Sequence, residues 1–194
     1  MKENGKKEKI IEIGFDLFNK FGYNGTSINE IIRIAEIPKG SFYHYFESKE
    51  AFMIEVMQNY SEGVCNYINK YLGDKSIAPD SRIRKMYSDF IVSYETSGKF
   101  PYGSFASKIN SEVGDKYLKI RIASNEVYSR IIESHSICLE ESKLDSGVCR
   151  EMSINELAEM IIYCWEGAIL RMQSTNKIAP LYLFQKILDN IILI

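Results

Sequence analysis

The sequence predicts an all-α chain, and three observations carry that prediction. Only four prolines occur in 194 residues. Most long segments repeat their apolar residues every three or four positions rather than every second one. The stretches between them, "GYNGT", "GDKSIAPD", "SGKFPYGS" and "KLDSGVCREMS", are rich in turn-forming residues. About nine helices are expected on this pattern.

Ile10, Ile13, Gly14, Leu17, Phe18 and Phe21 share one face of a first helix, which Gly22 can end in the left-handed conformation. Ser27 and Glu30 have the S-x-x-E spacing of a capping box, and Ile28, Ile31, Ile32 and Ala35 follow on one face of a short second helix. Pro38 marks the start of a third helix after one tight turn. Helix, short helix, tight turn and short helix within the first fifty residues is the helix-turn-helix arrangement, whose last helix can enter a major groove.

From Ser48, a plausible cap, a fourth helix runs towards Tyr71. Asp80 or Ser81 can cap a fifth, with the ladder Ile83, Met86, Tyr87, Phe90, Ile91 and Tyr94. A short helix is expected near 104–112, a long one from about Lys116 to Glu141, then "INELAEMIIYCWEGAILRMQST", and a last helix opened by Pro180.

Composition narrows the function classes. Hydrophobic residues make up 45% and charged residues 26%, a globular balance without a disorder signature. No run approaches the roughly 18 apolar residues that span a membrane, and "MKENGKKEKII" lacks an apolar signal core, so the expected location is the cytoplasm. Cys65, Cys138, Cys149 and Cys164 have no CxxC spacing and read as small reduced side chains. His44 and His135 are the only histidines and lie far apart in sequence, so no metal site is expected. There is no Gly-rich phosphate loop and no Ser/His/Asp arrangement, so neither catalysis nor a cofactor is expected.

The stretch "TSINEIIRIAEIPKGSFYHYFESKEAF" resembles the DNA-binding signature of TetR/AcrR-type transcriptional regulators, with Tyr43, Phe46 and Lys49 at signature positions. It departs from that signature where Glu36 replaces the usual turn Gly and Pro38 the usual capping Ser or Thr. "PKGSFYHYF" and "FPYGSFASK" are similar to a subgroup with a reactive Cys in the second segment, but Phe100 stands at that position here, so the resemblance does not carry cysteine sensing over.

In the third helix Phe42 and Phe46, one turn apart, can face the small domain's core with Leu17, Phe18 and Ile31. Lys39, Gly40, Ser41, Tyr43 and His44 are then offered to a groove, Gly40 by close backbone approach and the others as donors. Thr26 and Ser27 can hold a phosphate through hydroxyls and a helix N-terminus, and Lys49 by charge. Arg33 can contact DNA or be a solvated surface residue. The net charge of -2 is no obstacle if the basic groups are local, as Lys6, Lys7, Lys9, Arg33, Lys39 and Lys49 are.

Residues 1–48 are thus read as a DNA-binding domain and 49–194 as an effector-binding and dimerisation domain. The resemblance implies a small effector in the second part, with Tyr67, Phe90, Phe105, Tyr128 and Trp165 as lining candidates. Ordinary core packing is the competing reading of each. Arg121, Arg171 and Glu166 could answer a polar ligand group. Leu157, Ile161, Cys164 and Ala168 form a stripe that, with the apolar last helix, suggests pairing of two subunits through the last two helices. The expected function is a homodimeric, ligand-responsive regulator, a repressor released from a palindromic double-stranded DNA operator by a small molecule. The alternative is a DNA-binding dimer without an effector.

Overall fold

The computed structural model describes residues 2–98, 104–142 and 152–192. Phe100, Cys149, Leu193 and Ile194 lie outside these residues. Among the described residues there are nine α-helices: α1 (Lys2–Gly25), α2 (Ile28–Ala35), α3 (Lys39–Tyr45), α4 (Lys49–Leu72), α5 (Pro79–Ser97), α6 (Phe105–Val113), α7 (Leu118–Ser142), α8 (Ile154–Thr175) and α9 (Ala179–Ile187). A π-helical turn, Leu188–Ile192, follows α9. The chain divides into two compact units, Met1–Gly63 with Phe105–Tyr128, and Val64–Ser104 with Ser129–Ile194.

In the first unit α1 is interrupted at Gly22, whose φ of 76° is accessible to glycine without a Cβ penalty. Phe18, Phe42, Phe46 and Phe52 are almost wholly buried, with ring centroids 4.6 to 5.7 Å apart. Gly14 admits the Phe52 ring so closely that a Cβ there would overlap it. Phe21 departs from the expected core face and is 48% exposed. Phe15, Tyr60 and Phe105 form a second aromatic group, at centroid distances of 4.9 to 5.7 Å.

In the second unit the ladder of α5 is buried as expected, from Ile83 through Ile91. Its cap differs from the expected Asp80 or Ser81: the helix begins at Pro79 with Ala78 before it and no side-chain cap. Proline's fixed φ starts the turn without a hydroxyl. α8 opens with a full capping box, Ser153 Oγ accepting from Glu156 N at 3.2 Å and Glu156 Oε2 accepting from Ser153 N at 2.8 Å. Tyr87 is the hub of the core, with Trp165 at 5.0 Å, Phe184 at 4.8 Å and Phe90 at 5.9 Å.

The stripe expected at a subunit interface is corrected by this packing. Leu157, Ile161 and Ala168 are buried within the second unit, and Cys164 is half-buried. The apolar residues that α8 and α9 leave exposed are Tyr163, Leu170, Tyr182 and Leu183.

Candidate nucleic-acid interface

The turn between α2 and α3 is built from local chemistry. Ser27 Oγ accepts the N–H of Glu30 at 3.1 Å and caps α2. Glu36 ends α2 in the left-handed region (φ 55°, ψ 44°), its N–H bonded back to Ile32 O. It thus does what the family's usual glycine does, at the cost a Cβ carries there. Pro38 is extended (φ -62°, ψ 147°) and starts α3 through its carbonyl, which accepts from Ser41 N at 2.9 Å.

α3 divides into two faces. Phe42 is 0% exposed and Phe46, just beyond its end, 1%, so this side anchors the helix. Lys39, Gly40, Tyr43 and His44 are exposed, and Ser41 is half-buried. Nothing lies within 4 Å of where a Gly40 Cβ would stand, so the backbone is open to a close approach. The Lys39 ammonium lies 6.0 Å from the Tyr43 ring centroid, and Tyr43 packs edge-on to Phe42 at 5.5 Å. A cation, two rings able to hydrogen-bond and a bare backbone are therefore exposed on α3, and Ser27 and Arg33 are exposed at the start and in the last turn of α2.

Two of the expected contacts are corrected. Thr26 is 1% exposed and its hydroxyl donates to Gly22 O at 2.9 Å, so it closes the turn from inside instead of facing a phosphate. Lys49 is half-buried: its ammonium donates to Tyr23 O and sits 4.2 Å from the centre of the Tyr23 ring. Burial lowers its pKa, against an opposing pull from Glu112. It is first a brace for the α1–α2 turn. Lys7 is likewise engaged, paired with Glu55 at 2.5 Å.

The residue that sequence reasoning missed is Glu112 on α6. Its carboxylate accepts from Tyr23 N at 2.8 Å and Asn24 N at 2.7 Å, while Lys108 donates to Asn19 O. Both side chains thus tie α6 to the end of α1. Only a separation of nearly ninety residues hid this from local pattern.

The lining candidates are only partly brought together. Tyr67 stacks on Phe90 at 5.6 Å and Phe90 meets Trp165 at 6.1 Å, one continuous aromatic line. Phe105 is buried against Phe15 and Tyr60 in the other unit, to which half-buried Tyr128 also belongs. Arg121 and Arg171 are exposed, and Glu166 is half-buried. In the core of the second unit His135 Nδ1 donates to Ile131 O at 2.8 Å, leaving Nε2 to accept from Tyr87 Oη at 3.0 Å. Burial lowers the pKa of His135 to about 4, so the ring is neutral.

A capped helix, a tight turn and a short helix with an anchored and an open face define a helix-turn-helix DNA-binding regulator. Residues 10–56 match the model of the tetR family of bacterial regulatory proteins. Over 175 residues the chain is 30% identical to the HTH-type transcriptional repressor DhaR of Mycobacterium sp. (strain GP1), covering 90% of this chain and 86% of that one. It is 26% identical to the HTH-type transcriptional repressor NemR of Escherichia coli K12, over 92% and 89% of the two chains. The crystal structure of reduced E. coli NemR superimposes with a TM-score of 0.87 over 97% of each chain, at 26% identity. The chain belongs to the tetR family and is a DNA-binding transcriptional regulator. No described helix is long and apolar enough to cross a membrane.

Proposed function

We propose that the chain is a cytoplasmic repressor that binds a palindromic operator as a homodimer and is released by a small-molecule effector. The observation that carries the reading is the division of α3, with Phe42 and Phe46 buried, Lys39, Gly40, Tyr43 and His44 exposed, and Ser41 half-buried between them. On this reading Ser27 and Arg33 add contacts from α2, while Thr26 and Lys49 hold the turn that places them. Residues 1–48 read DNA, and 49–194 hold the effector and the dimer face.

Dimerisation through α8 and α9 is supported by the exposed apolar residues Tyr163, Leu170, Tyr182 and Leu183. Two-fold pairing sets two reading helices at the spacing of palindromic half-sites. An effector that favours a conformation with misplaced reading helices lowers operator affinity by the same factor by which operator lowers effector affinity. The aromatic line Tyr67, Phe90 and Trp165 supports an effector site in the second unit.

The test begins with selection of bound DNA from a random pool. A palindromic site bound by a dimer, and released by at least one compound of a metabolite panel, is the expected outcome. Close packing of the same aromatic side chains favours the second reading, a DNA-binding dimer without an effector. Absence of thermal stabilisation by every compound would select it.

A further inference from the structure

The aromatic line of the second unit ends at an open cavity. Tyr67, Lys70 and Tyr71 from the end of α4, Asp74 and Ile77 from the connection, and Arg82 and Lys85 from α5 enclose about 300 Å³. That volume is at the small end of ligand sites and suits a molecule of one ring. Tyr67 and Tyr71 lie 5.6 Å apart, and Phe90 backs both, at 5.6 and 6.2 Å. The walls between the charged groups are thus two phenol rings and an isoleucine.

The charges of this cavity are unequally matched. Arg82, only 4% exposed, is fixed by Ile77 O at 2.7 Å, Leu72 O at 3.2 Å and Glu141 Oε2 at 2.8 Å. Lys85 pairs with Asp89 at 2.8 Å. Asp74 accepts from Ser76 N at 3.0 Å and Ser76 Oγ at 2.6 Å. Lys70 is exposed and makes no ion pair among the described residues. The carboxylates at or next to the cavity are therefore all hydrogen-bonded or ion-paired, Asp74 by the neutral donors of Ser76, and Lys70 is, among the described residues, an ammonium without an ion pair beside two rings.

We propose that this cavity binds a small aromatic monocarboxylate, its ring against Tyr67 and Tyr71 and its carboxylate at Lys70. A cation is repelled by Lys70, Arg82 and Lys85, and the one carboxylate of the lining, Asp74, already accepts two hydrogen bonds from Ser76. A dianion such as phosphate finds only one free ammonium, an adjacent Asp74 carboxylate and apolar walls that cannot replace its hydration. An aromatic monoanion meets both the ring surface and the single charge. The site deepens the effector reading given above and rests on it for any regulatory consequence.

Calorimetric titration of the whole chain with benzoate, benzamide and benzylamine tests the site, using wild type, Lys70→Gln, Tyr71→Leu and, as a control in the other unit, Lys116→Gln. Benzoate is expected to bind ~10-fold or more tightly than benzamide, and Lys70→Gln to remove that preference. Tyr71→Leu should weaken both ligands, and Lys116→Gln neither. Failure of benzoate to saturate wild type at tens of millimolar, equal affinity for benzamide, or indifference to Lys70→Gln overturns the proposal. An operator-displacement assay separates the two readings. Lys70-dependent benzoate binding without operator release upholds the site and counts against its being the effector's. A panel compound that releases operator equally from wild type and Lys70→Gln, with benzoate unbound, overturns the site and leaves the repressor reading standing.

Discussion

Glu112 holds the backbone of Tyr23. Its carboxylate accepts that N–H at 2.8 Å and the next, from Asn24, at 2.7 Å, immediately after Gly22 has turned the chain at φ 76°. A Cβ on Gly22 would overlap the carboxylate, so glycine and glutamate form one device. Hydrogen bonds to a charged acceptor contribute more than neutral ones, so Glu112→Ala should lower unfolding stability by about 2–3 kcal/mol in urea titration. Gly22→Ala should cost a similar amount, and the double variant less than the sum. Strict additivity would refute the coupling.

The exposed face of α3 predicts a split between affinity and stability. Lys39→Ala and Tyr43→Ala should each weaken operator binding ~10-fold or more, for roughly 1–3 kcal/mol per contact, with the melting temperature unchanged. Lys39→Ala should also reduce the salt slope of binding by about one if the ammonium meets a phosphate. Phe42→Ala instead opens a core cavity, with a loss of about 3–5 kcal/mol. Anisotropy titrations over a salt series, paired with melting curves, check all three.

His135 predicts the acid limb of stability. The folded chain keeps the ring neutral down to about pH 4, against an ordinary value of 6.5. The unfolded chain therefore takes up the proton first as pH falls. Stability is unaffected by this group above pH 6.5, declines from there towards pH 4, and loses roughly 3 kcal/mol across the window. His135→Gln should flatten the decline between pH 6.5 and 5. Glu141, whose carboxyl is held below its ordinary range by hydrogen bonds from Lys75 and Arg82, adds a loss only at lower pH. An unchanged slope in the variant would show that other groups set it.

Leu170 and Leu183, 69% and 59% exposed, predict the oligomeric state. Leu170→Glu and Leu183→Glu should give a folded monomer by sedimentation at micromolar concentration. Operator affinity should fall with it, because one reading helix cannot hold both half-sites. A monomeric wild type would remove the basis of the prediction.

The parts of this architecture legible in the sequence are those set by neighbours within one helical turn. Ser27 and Glu30 marked the start of α2, Pro38 that of α3, and the spacing of Ile83 to Ile91 the buried face of α5. The division of α3 followed from Phe42 and Phe46 being one turn apart. What escaped depends on distant partners. Lys49 reads as a free cation until Tyr23, 26 residues earlier, is found beneath it. Thr26 reads as an open hydroxyl until Gly22 O appears at its side. On α8 two stripes are apolar, and only packing against α9 tells that Leu157 and Ile161 face inward while Tyr163 and Leu170 do not.

The left-handed Glu36 has a consequence for how long the protein stays on DNA. A side chain at φ 55° costs about 1 kcal/mol relative to glycine, and this one adds a carboxylate within a few residues of Lys39. Both the backbone preference and the charge would be relieved by Glu36→Gly. On the proposed reading of DNA by α3, the strain bears on folding and the carboxylate on the phosphates, so Glu36→Gly should raise unfolding stability by about 1 kcal/mol and slow dissociation from an operator.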